Sequence, residues 1–130
     1  MSVEFNIISG KTALANAVVN ERNTAKAVGS GDLDVFSTPM MIALMEQAAR
    51  NCVAEALEPG QTTVGTQISV SHIAASPLGA VITATATVTG VSGRRLEFAV
   101  TASDGAVEIG NGNHTRMVVD SERFMAKLKG

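Results

Sequence analysis

The residue with the greatest chemical potential in this sequence is Glu46, a carboxylate set within a nearly continuous apolar segment. Apolar residues lie on nearly every side of it through Val53, and a helix that is apolar all round is normally buried. A carboxylate in such a helix needs a partner or a chemical role. Glu46 could pair with Arg50 one turn later, or it could activate water or attack a carbonyl carbon. The helix alone leaves both interpretations open.

His72 is the second candidate for chemistry. It lies on the apolar row of an alternating strand with Val64, Ile68 and Val70, and we expect that row to face the helix and Glu46. Taken alone, a core histidine bonded to a backbone carbonyl is the simpler interpretation. In that space, however, a histidine could also orient a carboxylate or protonate a leaving group near neutral pH.

Thr38 stands at the predicted start of the helix, where its hydroxyl can cap free backbone donors and Pro39 suits the first helical position. As a cap it would lie beside the unpaired amides of Met40 and Met41. Free amides at a helix N-terminus attract a carbonyl oxygen that is gaining negative charge. Thr38 is therefore either a helix cap alone or part of an oxyanion site.

Two further residues are expected to have no chemical role. Cys52 is the single cysteine, and with no neighbouring cation except Arg50 it is predicted to be a small buried hydrophobe rather than a nucleophile. His114 falls on a polar row with Glu108 and Arg116, so it is predicted to be solvated.

Three motifs complete the search for sites. Arg94 and Arg95 follow a turn, where they could improve solubility or bind a phosphate. The segment Gly-Asn-Gly at 110–112 lies between strand residues and does not open a helix, so it is not a phosphate-binding loop. Two histidines and one cysteine without ligand spacing predict no metal site.

The composition excludes several classes of protein. The 130 residues are 45% hydrophobic and 17% charged with a net charge of −2, which gives no electrostatic basis for nucleic-acid binding. Four phenylalanines without tryptophan or tyrosine also offer little for base stacking. A single cysteine allows no internal disulfide and suits a reducing compartment. Because neither a signal peptide nor a membrane-spanning segment is recognisable, we expect a cytoplasmic protein with no membrane partner.

The pattern of apolar residues and turn dipeptides predicts one long helix followed by antiparallel strands. Ser92-Gly93 and Asp104-Gly105 are tight-turn dipeptides between alternating runs. The predicted elements are a strand at 12–19, an irregular connection at 21–34, a helix at 39–57, strands at 64–73, 82–89, 96–102 and 107–119, and a helix at 122–128.

These elements predict a single α+β domain, residues 1–130, in which an antiparallel sheet wraps a long central helix. One sheet covers only one side of a helix that is apolar on both. A second copy of the chain is the simplest cover for the other side, so we expect a homodimer. The sequence leaves open whether dimers pair further into tetramers.

The motifs, in this order and spacing, resemble the hot-dog-fold thioesterases, and most of all the branch that includes fluoroacetyl-CoA thioesterase. The stretches that carry the resemblance are Val-Phe-Ser-Thr at 35–38, Ala-Leu-Met-Glu at 43–46, Thr-Val-Gly-Thr at 63–66, Val-Ser-His at 70–72, Gly-Arg-Arg-Leu at 93–96 and Ile-Gly-Asn-Gly-Asn-His at 109–114.

The resemblance implies a hot-dog fold and hydrolysis of an acyl-CoA thioester to a free acid and coenzyme A, with no cofactor besides the CoA of the substrate. By the same resemblance Thr38, Glu46 and His72 are the catalytic residues. Implied substrate-binding residues are Phe36, Met40, Met41, Gly65 and Arg94. Where the fluoroacetyl enzyme has an aromatic lid, residues 24–34 here are small and polar, so another short acyl group, or a broader range, is expected.

Thr38 and Glu46 are separated by eight residues, roughly 12 Å of helix rise. One small acyl carbonyl cannot easily reach both. We therefore expect each site to combine the helix start of one subunit with Glu46 of its partner.

Two other functions fit the same residues. A hydratase or dehydratase acting on acyl thioesters would use a histidine with a carboxylate to move a proton. A non-catalytic acyl-CoA-binding or dimerisation module is the second alternative, because a fold alone does not fix function.

Overall fold

One antiparallel sheet with the strand order β1-β3-β4-β5-β2 forms the frame of the structure, and a long helix packs along it. The structure, a computed structural model, describes Ile7 and residues 9–129. The elements are β1 (Thr12–Val18), α1 (Ala25–Val28), α2 (Thr38–Val53), a 3-10 turn (Ala54–Ala56), β2 (Gln61–His72), β3 (Val81–Ser92), β4 (Arg95–Asp104), β5 (Val107–Asp120) and α3 (Ser121–Leu128).

The predicted α+β architecture is confirmed. Helix α2 lies against β1, β3 and β4 and buries one face in the core of the sheet. The buried residues of that face are Met41, Leu44, Met45, Ala48, Ala49, Cys52 and Val53. The opposite face exposes Met40, Ala43, Gln47 and Arg50. Among the described residues, α2 is therefore covered on one side only.

Both ends of α2 differ in detail from the prediction. Ser37, not Thr38, is the N-cap, and its Oγ accepts a hydrogen bond from Met40 N at 3.3 Å. Thr38 is the first helical residue, which frees its side chain for another contact. At the other end, the helix predicted over 39–57 stops at Val53 and tightens into a 3-10 turn, a common way for a last turn to end.

The two predicted tight turns are confirmed, and they fix which residues face the helix. Gly93 and Gly105 adopt positive φ angles of 60° and 61° between paired antiparallel strands. The predicted inner rows of β3 and β4 are all buried: Ile82, Ala84, Ala86 and Val88, and Leu96, Phe98, Val100 and Ala102.

Bulges change the facing of side chains in β2 and β5, and two predictions fail for this reason. In β2 the register shifts between Gly65 and Gln67. Val64 pairs with Met117, a neighbour of the inward Arg116, so Val64 lies on the other face from the row in which it was predicted.

In β5 the register shifts beside Ile109, between the pairs Ala102–Gly110 and Ser103–Glu108. Glu108 is exposed, whereas His114 and Arg116 turn inward and are only 2% and 6% exposed. The prediction of a solvated His114 is therefore wrong.

The glycines of the 110–112 segment allow β5 to pass closely over its neighbours. A Cβ on Gly112 would collide with the Ser69 carbonyl oxygen and lie 2.6 Å from Val70 Cα. A Cβ on Gly110 would lie 2.5 Å from Met41 Sδ. The glycines are thus needed for strand and helix packing.

None of the described helices is long and apolar enough to cross a membrane.

The packing of Gly112 predicts a large loss of stability on adding a single methyl group. Gly112→Ala should lower the free energy of unfolding by about 3 kcal/mol, because the new Cβ meets backbone atoms that cannot move aside. Gly90→Ala is the matched control, since a Cβ there finds only Glu97, at 3.5 Å or more. Urea titration of both variants measures the difference, and equal stabilities would contradict the prediction.

Candidate active site

The polar side chains around α2 form two groups, one at the helix start and one two turns further along. The first, called the helix-start pair, consists of Thr38 and His72. The second, called the Glu46 cluster, consists of Glu46, His114 and Arg116 around Gly65.

In the helix-start pair, the Thr38 Oγ1 and His72 Nδ1 atoms are 2.8 Å apart. Thr38 can make this contact because Ser37 has taken over the capping role. The pair opens into a pocket of about 310 Å³. The remaining residues lining it are Ala25, Ser30, Val35, Phe36, Ile73, Ala74 and Ala75.

His72 is prepared to act as a neutral imidazole. Burial lowers the pKa of His72 below its ordinary value, and a backbone hydrogen bond with Ala74 offsets part of that effect. Its Nε2 is buried and has no hydrogen-bond partner in the described part of the protomer. An unpaired buried ring nitrogen is costly, so Nε2 is a position where a second group would be accommodated favourably.

The amides at the helix start are mostly occupied, contrary to the sequence-based expectation. Met40 N donates to Ser37 Oγ, and Met41 N donates to the Ser37 carbonyl at 3.0 Å. Pro39 has no N–H. The first-turn donor that remains for an oxyanion is therefore the N–H of Thr38; the Thr38 hydroxyl is a second donor when His72 Nδ1 carries the proton and donates to Oγ1.

In the Glu46 cluster, the carboxylate contacts two side chains from β5. Glu46 Oε2 lies 3.5 Å from Arg116 Nη1 and 4.0 Å from His114 Nε2. The Glu46 side chain is 42% exposed, so it is held by a cation on one side and open on the other. The ion pair with Arg50 considered from the sequence is replaced by this one.

Arg116 is fixed before it meets Glu46. Its Nε donates to Thr63 Oγ1 at 2.8 Å, and its Nη2 donates to the Thr63 carbonyl at 2.9 Å. Burial lowers the pKa of Arg116, and the nearby Glu46 carboxylate raises it. An arginine stays charged under such conditions, so the guanidinium is a fixed positive charge beneath the carboxylate.

Gly65 makes room for this arrangement. A Cβ at this position would lie 2.6 Å from Glu46 Oε2 and 3.2 Å from His114 Cε1. Any side chain would therefore displace the carboxylate or its neighbours. Gly65 lines the open side of the cluster together with Thr66, Gln67 and Ile68.

The expectation that Glu46 and His72 share one space is wrong within a protomer. Glu46 contacts β2 at Gly65, and His72 lies seven residues further along the same strand, which is about 23 Å of extended chain. The two side chains line different pockets. A single protomer therefore holds two separated halves of the predicted catalytic set.

The implied substrate-binding residues also lie in different parts of the structure. Phe36 is buried and lines the helix-start pocket, Gly65 lies in the Glu46 cluster, and Met40 is exposed. Met41 is fully buried in the core and lines neither pocket. Arg94 lies at the β3–β4 turn, where its Nη1 donates to the Val118 carbonyl at 3.3 Å.

Cys52 is buried, as predicted, with its Sγ 3.1 Å from the Ala86 carbonyl oxygen. Burial raises the pKa of the Cys52 thiol, so it stays protonated. Among residues 7 and 9–129, no three His, Cys, Asp or Glu side chains come together as metal ligands would.

Arg116 and His114 were missed as site residues from the sequence. They alternate with buried Val118 along β5, which is the one local sign that they face inward. Their row also contains glycines and the exposed Glu108, so it appeared solvated. The carboxylate that pairs with Arg116 is that of Glu46, which lies on α2, far from β5 in the sequence.

Comparisons with known proteins identify the family of this chain. The family model for fluoroacetyl-CoA-specific thioesterases matches residues 19–122. A fluoroacetyl-CoA thioesterase of Streptantibioticus cattleyicolor is 47% identical over 96 residues, covering 74% of this chain and 69% of that protein. A solved structure of a fluoroacetyl-CoA thioesterase matches with a TM-score of 0.88 at 38% identity, covering 94% of this chain and 95% of the other.

A hot-dog-like protein from Thermanaerovibrio acidaminovorans matches with a TM-score of 0.89 at 25% identity, covering 98% of this chain and 95% of that one. These findings favour thioester hydrolysis over the hydratase and the non-catalytic binding module. The chain belongs to the fluoroacetyl-CoA-specific thioesterase family and is an acyl-CoA thioesterase of the hot-dog fold.

Proposed function

We propose that this thioesterase hydrolyses short acyl-CoA thioesters at a site that joins Thr38 and His72 of one protomer to Glu46 of a second. The observation that carries this proposal is the separation of the two groups within one chain. The helix-start pair has donors and an imidazole but no carboxylate. The Glu46 cluster has the carboxylate but neither His72 nor the amides of the helix start.

A two-fold dimer would bring the halves together. Strand β2 is at the edge of the sheet and is twelve residues long. A long edge strand is usually paired or covered by another element, because its free backbone N–H and C=O groups would otherwise pair with other chains. Antiparallel pairing of two β2 strands about Ser69, with Thr66 as the extra residue of the bulge, places Gly65 opposite the partner's His72. Antiparallel α2 helices crossing near Ile42 place Glu46 opposite the partner's Thr38. Both elements thus call for the same symmetry, with two equivalent sites.

In this site Glu46 would activate a water molecule or attack the carbonyl carbon itself. If water attacks, its oxygen bonds to that carbon while Glu46 takes a proton from it, and the C–S bond breaks to give the free acid and the CoA thiolate, which is protonated to the thiol. If Glu46 attacks, the C–S bond breaks to leave an acyl anhydride on Glu46, which water then hydrolyses to the free acid and the original carboxylate. The N–H of Thr38 would hold the carbonyl oxygen while it is negatively charged, and the Thr38 hydroxyl would join it when His72 Nδ1–H donates to Oγ1. His72 would orient the attack or give a proton to the departing thiolate.

The acyl end of the substrate would lie in the helix-start pocket. Phe36 forms an apolar wall, while Ala25, Ser30 and Ala74 contribute small side chains. Leu33, the bulky residue of the preceding segment, is 68% exposed and does not line this pocket. This supports a range of short acyl groups rather than selection of a fluoroacetyl group alone. A cytoplasmic location fits the reduced thiol of Cys52.

Arg94 is a candidate for the phosphates of CoA. It lines a groove with Arg123 and Lys127, and Phe124 adds an apolar surface. Three cations beside an aromatic ring suit a phosphorylated nucleotide. Asp120 also lines this groove, but its Oδ1 is engaged by Arg123 N in capping α3.

The first prediction concerns Glu46. Glu46→Gln should lower kcat for thiol release about 100-fold or more, because the amide can neither accept a proton nor attack. Glu97→Gln is the matched control: Glu97 is also a carboxylate paired with an arginine, Arg95 at 3.8 Å, but its side chain is exposed and lines neither pocket. Unimpaired hydrolysis by Glu46→Gln would remove the carboxylate from the mechanism.

The second prediction concerns the shared site. Thr38→Ala and Glu46→Gln chains should each be nearly inactive, yet an equimolar mixture should recover about a quarter of wild-type activity. Half of the dimers are then mixed, and each has one intact site of two. Activity is measured after co-refolding, with each variant refolded alone as the control. No recovery, with mixed dimers present by mass spectrometry, counts against sharing.

The third prediction concerns Arg94. Arg94→Ala should raise KM for an acyl-CoA about tenfold and leave KM for the corresponding acyl-pantetheine unchanged, because the shorter substrate lacks the nucleotide phosphates. Arg95→Ala is the control from the adjacent position. An equal effect on both substrates would assign Arg94 a structural role.

A further inference from the structure

His114 is a buried histidine whose two ring nitrogens are both engaged, and its contacts fix one protonation state. Nδ1 lies 2.7 Å from the Gln67 carbonyl oxygen. A carbonyl oxygen only accepts hydrogen bonds, so Nδ1 carries the proton. Nε2 lies 3.2 Å from Arg116 Nη1. A guanidinium only donates, so Nε2 is the acceptor and the ring is neutral.

The surroundings of His114 maintain this state. Its side chain is 1% exposed, and the ring packs against Phe98 with the ring centroids 6.0 Å apart. Burial lowers the pKa of His114; Arg116 also lowers it, while the Gln67 carbonyl and Glu46 raise it. The charged groups that face His114 are Glu46 on α2 and Arg116 on β5. Protonation would set an N–H against the Arg116 N–H and add a second buried cation.

The contact with His114 determines how the Arg116 guanidinium is oriented towards Glu46. Thr63 holds Nε and Nη2 of the guanidinium. The two N–H groups of Nη1 have as neighbours His114 Nε2 at 3.2 Å and Glu46 Oε2 at 3.5 Å. With one of them donated to the imidazole, the planar guanidinium directs the other towards the carboxylate.

From this geometry we infer that His114 is a positioning residue, a permanently neutral hydrogen-bond acceptor that locks Arg116 in place and thereby orients Glu46 for attack. The inference rests on the proposed catalytic role of Glu46. His114 itself exchanges no proton with the substrate. Its function is to keep Nε2 unprotonated and to hold a buried cation in one orientation.

The kinetic test uses two replacements of His114. His114→Phe keeps a ring against Phe98 but removes the acceptor, whereas His114→Gln places a non-titrating amide oxygen near the position of Nε2. With the short acyl-CoA that the wild type hydrolyses fastest, His114→Phe should lower kcat about 10- to 100-fold and change KM less than about threefold. His114→Gln should restore kcat to within about fivefold of the wild type.

A double-mutant cycle separates positioning from a general structural effect. In an Arg116→Met background, His114→Phe should have little further effect on kcat, because the residue through which it acts is gone. Melting temperatures of all variants are measured alongside. Independent, multiplicative losses in the two variants would overturn the inference, and so would a His114→Phe enzyme with wild-type kcat.

A spectroscopic measurement on the unmodified protein tests the same inference without any variant. The chain has two histidines, and a His72→Gln spectrum assigns them. Nitrogen-15 spectra should show His114 as the neutral Nδ1–H tautomer, remaining so on acidification below the ordinary histidine pKa of about 6.5. An Nε2–H tautomer, or titration at about 6.5, would overturn the inference. Full activity of Glu46→Gln would instead overturn the proposed function, so the two failures are distinguishable.

Discussion

The constraint on which the rest of this structure depends is the stiffness of α2. A straight helix holds Thr38 and Glu46 roughly 12 Å apart whatever the sheet does, and β2 carries the separation further by placing Gly65 and His72 near opposite ends of one strand. The chain therefore cannot assemble carboxylate, donors and imidazole around one carbonyl. Within each group, however, the side chains already contact one another. Thr38 is bonded to His72, and Glu46 is paired with Arg116.

The Glu46 cluster shows what a partly buried ion pair is used for here. Desolvation of the buried Arg116 guanidinium offsets much of its attraction to the 42% exposed Glu46 carboxylate, so the pair is weak evidence for stability. Arg116, however, is bonded to Thr63 and His114 as well as facing Glu46. Contacts from three elements leave the guanidinium one orientation. The cluster therefore fixes the direction of the Glu46 carboxylate.

Much of the fold was predictable because its signals are local. The alternation of apolar and polar residues, with two turn dipeptides, predicted the buried rows of β3 and β4. The long run of apolar residues predicted α2. The errors about which strand residues face inward occur at bulges, where one extra residue reverses the alternation of inward and outward side chains. The bulge after Gly65 turned Val64 away from its predicted row, and the bulge at Ile109 hid the inward facing of His114 and Arg116. A bulge is set by pairing with another strand, so the sequence around it carries little sign of it.

The candidate site was predictable only as a set of residue types. Glu46 was identifiable because a carboxylate in an apolar helix needs a charged partner or a chemical role. Its partner, Arg116, was not identifiable because it comes from β5, seventy residues later. The cap was misassigned by one position, and that shift matters for function. With Ser37 as cap, the Thr38 hydroxyl is released to contact His72 and its N–H remains a donor. Adjacent hydroxyl residues thus divide two tasks that one could not perform together: Ser37 caps the N-terminus of α2, and Thr38 contacts His72 in the helix-start pocket.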